Sequence, residues 1–262
     1  MRKKLKLYLS ATAVIGCIFV ADTPSAQLAG HGADFTGVYN NTGQMNSGFG
    51  GPAGDCATTV DENLPCNTGE YPYNALGEDT TIGVLDDVAI ECEVGGLVRL
   101  VGQGLYSFQV WHEPEAVMIA YEYGGIVRTI HLNGEPAPQG TDNTPAGYST
   151  GEWIGDVLHI ETTHLSPDFA TYIGGRAATT RGGPTSEQAR VTERMWLSPD
   201  APRALMIELR IDDPVFYTQP FLWARWKKLN APMLSSVDEW DCIPAGDLLL
   251  SEDPDLDAFF GE

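Results

Sequence analysis

Residues 147–165 (GYSTGEWIGDVLHIETTHL), 191–197 (VTERMWL) and 204–221 (ALMIELRIDDPVFYTQPF) alternate apolar and polar side chains with a period of two. The pattern breaks at Gly-Asp, Ser-Pro-Asp and Asp-Asp-Pro steps, which are turn formers. A helix would need its apolar positions three or four apart; strict alternation belongs to strands with one face against a core. The second half of the chain is therefore predicted to be all-β, an antiparallel sheet or barrel with two different faces. An irregular N-terminal segment over 27–80, rich in Gly, Asn, Thr and Pro, precedes it. Only Phe35-Thr36-Gly37-Val38-Tyr39 in that segment reads as a strand.

Two Gly-rich breaks predict hairpins upstream. Leu97–Val101 and Leu105–Trp111 flank Gly102-Gln103-Gly104, and Val117–Tyr123 and Ile126–Leu132 flank Gly124-Gly125. A two-residue turn at Gly124-Gly125 would set Tyr123 opposite Ile126, Tyr121 opposite Arg128, Ile119 opposite Ile130 and Val117 opposite Leu132. Directly opposed residues point to the same face, so Arg128 falls on an otherwise apolar one. An unpaired charge there would be costly. A carboxylate from a neighbouring strand, Glu161 or Glu193, is expected to complete the set. In 157–164 the same alternation puts Leu158, Ile160, Thr162 and His164 on one face and Val157, His159, Glu161 and Thr163 on the other.

Met1-Arg2-Lys3-Lys4-Leu5-Lys6, an apolar run through Val20 and the small residues up to Ala26 have the form of a secretory signal peptide over 1–26. The run is short for a membrane span, so no membrane insertion of the mature protein is expected. Val14-Ile15-Gly16-Cys17 resembles a lipobox, but hydrophobic residues continue past Cys17, which favours a periplasmic or secreted product. The formal charge is -21. Cleavage would shed Arg2, Lys3, Lys4 and Lys6 for a single acid, Asp22, and deepen it. Such a chain repels phosphate backbones and anionic lipid, which argues against nucleic-acid partners.

What remains fits one all-β domain over 27–245 followed by an acidic tail over 246–262. Cys56, Cys66, Cys92 and Cys242 make an even set in an exported chain, and two disulfides are expected. The favoured pairing is Cys56–Cys66 and Cys92–Cys242. Residues 166–187 read as a long loop, of the length that often carries function.

The chain has no Gly-x-Ser-x-Gly elbow and no dinucleotide-binding glycine fingerprint following a strand. With the cysteines paired, acid–base chemistry without a cofactor remains. The residues best suited to it are Tyr121, Arg128, Glu161, His164, Glu193 and Tyr217. Arg128 could hold an anionic oxygen, Tyr121 or Tyr217 could donate a proton, and His164 or a buried carboxylate could accept one. A pocket at one barrel end, bordered by 166–187 and lined by Tyr121, Arg128 and His164, is the expected site. Each of these residues also has a structural reading: Glu193-Arg194 as a strand-edge pair, Asp212-Asp213-Pro214 as a side-chain-capped turn. His159-x-Glu161-x-x-His164 has a metal-like spacing, yet on a strand His164 falls on the wrong face, so no metal is expected.

The blocks Tyr121-Glu122-Tyr123, Arg128-Thr129-Ile130-His131-Leu132-Asn133-Gly134, GYSTGEWIGDVLHIETT, VTERMWL and IDDPVFYTQPF together resemble a large family of exported, mostly uncharacterised bacterial proteins. The resemblance covers roughly residues 88–229 and implies one exported all-β domain, an antiparallel lipocalin-like barrel or strongly curved sheet. This chain departs from the family pattern at His164-Leu165, where a Gly-Phe is usual, and at Thr185-Ser186, where a His-Ser is usual. The setting is similar to that of exported proteins of aromatic-degrading bacteria that perform cofactorless lyase steps on lignin-derived compounds, although no motif carries that likeness. The functional expectation is a lyase or isomerase for a small aromatic or apolar molecule. The alternative is a non-catalytic periplasmic carrier for a small hydrophobic ligand.

Overall fold

The computed structural model describes residues 32–40, 71–80, 91–102, 106–171, 183–199, 204–231, 236–237 and 240–244. The expected signal peptide, the Cys56–Cys66 pairing and the acidic tail lie outside them. Among the described residues eleven strands and two short α-helices follow one another: β1 (Gly37–Asn40), α1 (Ala75–Thr80), α2 (Leu97–Gly102), β2 (Phe108–Glu113), β3 (Ala116–Tyr121), β4 (Val127–His131), β5 (Tyr148–Ile154), β6 (Val157–Thr163), β7 (Asp168–Thr171), β8 (Gly183–Thr185), β9 (Arg190–Leu197), β10 (Ala204–Asp212) and β11 (Phe221–Ala231).

Nine of the strands curl into a closed ring in the order β1-β11-β10-β9-β6-β5-β4-β3-β2, so the all-β expectation holds. Phe35–Tyr39 does open the barrel, as β1 pairs with β2 on one side and β11 on the other. Alternation sets the two faces. Val117, Ile119 and Tyr121 of β3, Leu158, Ile160 and Thr162 of β6, and Val191, Glu193 and Met195 of β9 are buried, and the residues between them are more exposed. Gly151 belongs to this inner face. A Cβ there would stand 2.7 Å from Ile130 Cγ2 and 3.3 Å from Leu158 Cδ1, so the interior has no room for one.

The Gly155-Asp156 hairpin forms as expected, with Ile154 opposite Val157 and Gly155 at φ 62°. The Gly124-Gly125 hairpin forms with a different loop. Tyr121 N–H donates to Ile126 O, and Ile119 rather than Tyr121 stands opposite Arg128. Tyr123–Gly125 makes a 3₁₀ turn, which lengthens the loop to Glu122–Gly125 and slips the register by two. Because two is the side-chain period, every residue keeps its predicted face.

Four expectations need correction. Leu97–Val101 is helix α2 rather than a strand; Leu97 through Val101 are all buried, and an unbroken buried run has no periodicity to distinguish the two. The sheet is not wholly antiparallel, for β4 and β5 run parallel through Ile130–Ser149 and His131–Thr150. The 166–187 segment is not simply a loop: β7 and β8 pair within it. The 27–80 segment includes α1, which Asn74 caps by accepting Gly77 N–H at 2.9 Å on Oδ1.

Cys92 and Cys242 are bridged, as expected, across a separation of 150 residues. Beside the bridge, Trp240 sets its ring edge-on to Tyr123 at 5.0 Å. Among the described residues no helix is long and apolar enough to cross a membrane. The disulfide is consistent with export to an oxidising compartment.

Candidate functional site

The sheet has two polar regions, one inside the ring and one outside. Inside, Arg128 is 1% exposed and Glu193 2%. The guanidinium grips the carboxylate at two points, through Nη2 to Oε1 and through Nη1 to Oε2 at 3.1 Å. Its Nε donates to Ser149 Oγ at 2.9 Å and its Nη2 also donates to Thr162 Oγ1 at 2.8 Å. The two hydroxyls are 2.9 Å apart and bonded to each other. Four consecutive strands of the ring, β4, β5, β6 and β9, thus contribute one polar side chain each. Burial opposes the Arg128 charge, but Glu193 outweighs it and the guanidinium pKa is raised. Burial also pushes the Tyr121 hydroxyl up to about 12, opposed by Arg128 and reinforced by Glu193. Tyr121 is therefore a neutral neighbour of a closed ion pair.

This cluster unites Tyr121, Arg128 and Glu193 of the sequence-derived candidates. The other three lie elsewhere. Glu161 points outward and pairs with Arg190 at 2.9 Å, both about half exposed. His164 follows the last residue of β6 with φ 56°, which turns its ring out of the inner row, and its Nδ1 meets Thr163 Oγ1 at 2.9 Å. The Tyr217 hydroxyl donates to Pro184 O at 2.9 Å and its ring stacks on Tyr73 at 5.2 Å. Nearby, Asp213 accepts from Ser186 N–H and hydroxyl at 2.7 and 2.8 Å and from Val215 N–H at 3.1 Å, so the capped-turn reading of that segment holds.

Outside, ladder pairing aligns two rows of outward side chains across the same strands. One row runs Thr150, Glu161, Thr192, Arg210, Leu222, and the next runs Glu152, His159, Arg194, Glu208. These residues line a groove of about 580 Å³, with Leu222 as its apolar side chain. A second cleft of about 310 Å³ shares Thr150 and Glu161 with it and is lined by Tyr148, His164 and Arg190 among others. Neither is lined by Tyr121 or Arg128.

Glu208 is the unusual group in the groove. It is 6% exposed although it points to the outer face. Oε1 accepts from Arg194 Nε at 2.9 Å and Nη2 at 2.8 Å. Oε2 is buried with no hydrogen-bond partner. Burial raises its pKa, with Arg194 opposing the rise. A carboxyl pushed toward protonation by burial, anchored at one oxygen and open at the other, can donate or accept a proton there. His159 stands two strands away in the same row, about 10 Å across the sheet at the usual strand spacing. Among the described residues no group of three or more metal-ligating side chains is placed to hold an ion.

Sequence reasoning passed over Glu208 and Arg210, read Arg194 as the strand-edge partner of Glu193, and considered His159 as a metal ligand. A usable signal existed: in IELRIDD, Glu208 and Arg210 occupy the polar phase between Ile207, Leu209 and Ile211. Their meeting with His159 depends on the β6-β9-β10 strand order, which the sequence does not display. No protein-family model, curated protein or solved structure matches the chain.

Proposed function

We propose that the protein is an exported, periplasmic acid–base enzyme of the lyase or isomerase type, and that it works in the external groove rather than inside the barrel. The observation that carries this reading is the half-paired Glu208 carboxyl, buried in the groove wall with Oε2 unpartnered. Glu208 serves as the acid and His159, which lines the same groove, as the base. Their separation suits a small molecule with one ring or chain lying between them. Arg194 positions Glu208 by holding the other oxygen. The Arg128 cluster plays a supporting role in stability, because the ion pair and its two hydroxyls satisfy one another and offer nothing to a substrate.

The test is proton exchange and turnover of small aromatic compounds, lignin-derived ones included, followed by NMR in D₂O. Wild-type protein should wash deuterium into a substrate C–H position, and Glu208→Gln should slow this by about 100-fold or more, the usual worth of a general acid. Full activity in Glu208→Gln would overturn the reading.

A further inference from the structure

The groove's other cations allow its ligand to be specified further, an inference that rests on the groove being the working site. Arg190, Arg194 and Arg210 surround Thr192: Arg190 and Arg194 lie two residues to either side on β9, and Arg210 is its direct partner on β10. The chain has only 15 Lys and Arg against 36 Asp and Glu, and Glu161 and Glu208 stand among these arginines, so what matters is which guanidinium keeps donors unused.

Their partners differ. Arg190 holds Glu161 at 2.9 Å, and Arg194 holds Glu208 with both Nε and Nη2. Arg210 has only a 3.4 Å contact from Nη1 to Asp212 Oδ2, beyond a good charge-assisted bond, and both side chains are about two-fifths exposed. Arg210 lines the groove whereas Asp212 does not. Among the described residues its Nε and Nη2 donors have no other partner. A guanidinium with a free fork facing a cleft matches a carboxylate, which it can take at two points.

We propose that Arg210 is the specificity-determining residue of the groove and that the ligand is a small carboxylic acid with an apolar or aromatic body. Arg210 and Glu208 are two residues apart on one strand, hence about 7 Å apart and on the same face. A carboxylate seated on Arg210 therefore puts the adjoining carbons near Glu208 Oε2. The acidity of the chain disfavours anions over most of its surface, and the unused donors of Arg210 offset that in the groove.

The test uses benzoate and phenylacetate as probes, each against its neutral amide, with binding followed by ligand-observed NMR on wild type, Arg210→Met, Arg210→Lys and Glu208→Gln. The acids should bind saturably and more tightly than the amides. Arg210→Met should weaken them by about 10- to 100-fold, the range of one charged hydrogen-bonding pair. Arg210→Lys should recover part of the loss, and Glu208→Gln should leave acid binding equal or tighter because a nearby negative charge is removed. Equal affinity for acid and amide, no effect of Arg210→Met, or no saturable binding of either acid up to about 10 mM, weaker than typical specific recognition, would overturn the proposal. Loss of turnover in Glu208→Gln without loss of acid binding separates the two claims. Retained turnover in that variant, with acid binding still dependent on Arg210, would remove the catalytic reading and leave the anion site.

Discussion

Arg128 on β4 and Glu193 on β9 form a two-point ion pair through the barrel interior although they are 65 residues apart and their strands are not neighbours in the ring. Ser149 and Thr162, on the two strands between, close the network. Removing one partner would leave a buried charge uncompensated. Arg128→Met or Glu193→Gln alone should each cost about 3–5 kcal/mol in urea unfolding. The double replacement Arg128→Met with Glu193→Leu should cost less than the sum of the singles, since no charge is then left behind. A cost under about 1 kcal/mol for either single would show that the pair is not closed as described.

The Cys92–Cys242 bridge closes a loop spanning 150 positions. On the chain-entropy account a loop of that length contributes about 5 kcal/mol. The Cys92→Ser, Cys242→Ser protein should unfold at correspondingly lower urea. Thiol labelling of both positions in the native, non-reduced protein would contradict the assignment.

His164 sits at φ 56°, where side chains other than glycine are strained. Replacing it with Gly should raise stability by up to about 1 kcal/mol, offset in part by loss of the Thr163 contact. A fall in thermal midpoint would mean that the ring's contacts outweigh the strain.

Burial pushes Tyr121 up to about 12, above the unfolded value of 10.0. A raised folded pKa means that this group's contribution to stability is present below pH 10 and is lost as pH climbs through the folded value. Burial raises Tyr39 as well, so ultraviolet titration of tyrosinate should show late-titrating groups, one of which disappears in Tyr121→Phe.

The barrel was legible because one face of each strand is buried: period two survives in GYSTGEWIGDVLHIETT and VTERMWL, and even a two-residue slip at Gly124-Gly125 could not move Arg128 off the inner face. The need for a buried carboxylate near Arg128 followed from the same rule, and Glu193 supplied it. Helix α2 was illegible because Leu97 to Val101 are buried without alternation. The parallel β4–β5 pair, and the groove with it, depend on strand order. Glu208 and His159 stand 49 positions apart in the chain, and only pairing through β9 aligns them.

The account turns on the protonation of one carboxyl, which carbon-detected NMR of the glutamate side chains can read, with Glu208→Gln identifying the resonance. Glu208 should titrate above the ordinary glutamate value of 4.5, since burial favours its neutral form. Arg194→Met should move it higher still by removing the charge that opposes the rise. By linkage, the stability contributed by this group is greatest below pH 4.5 and is lost as pH rises through the folded value. Titration at or below 4.5, unchanged by Arg194→Met, would contradict the claim that Glu208 is poised to transfer a proton in the groove.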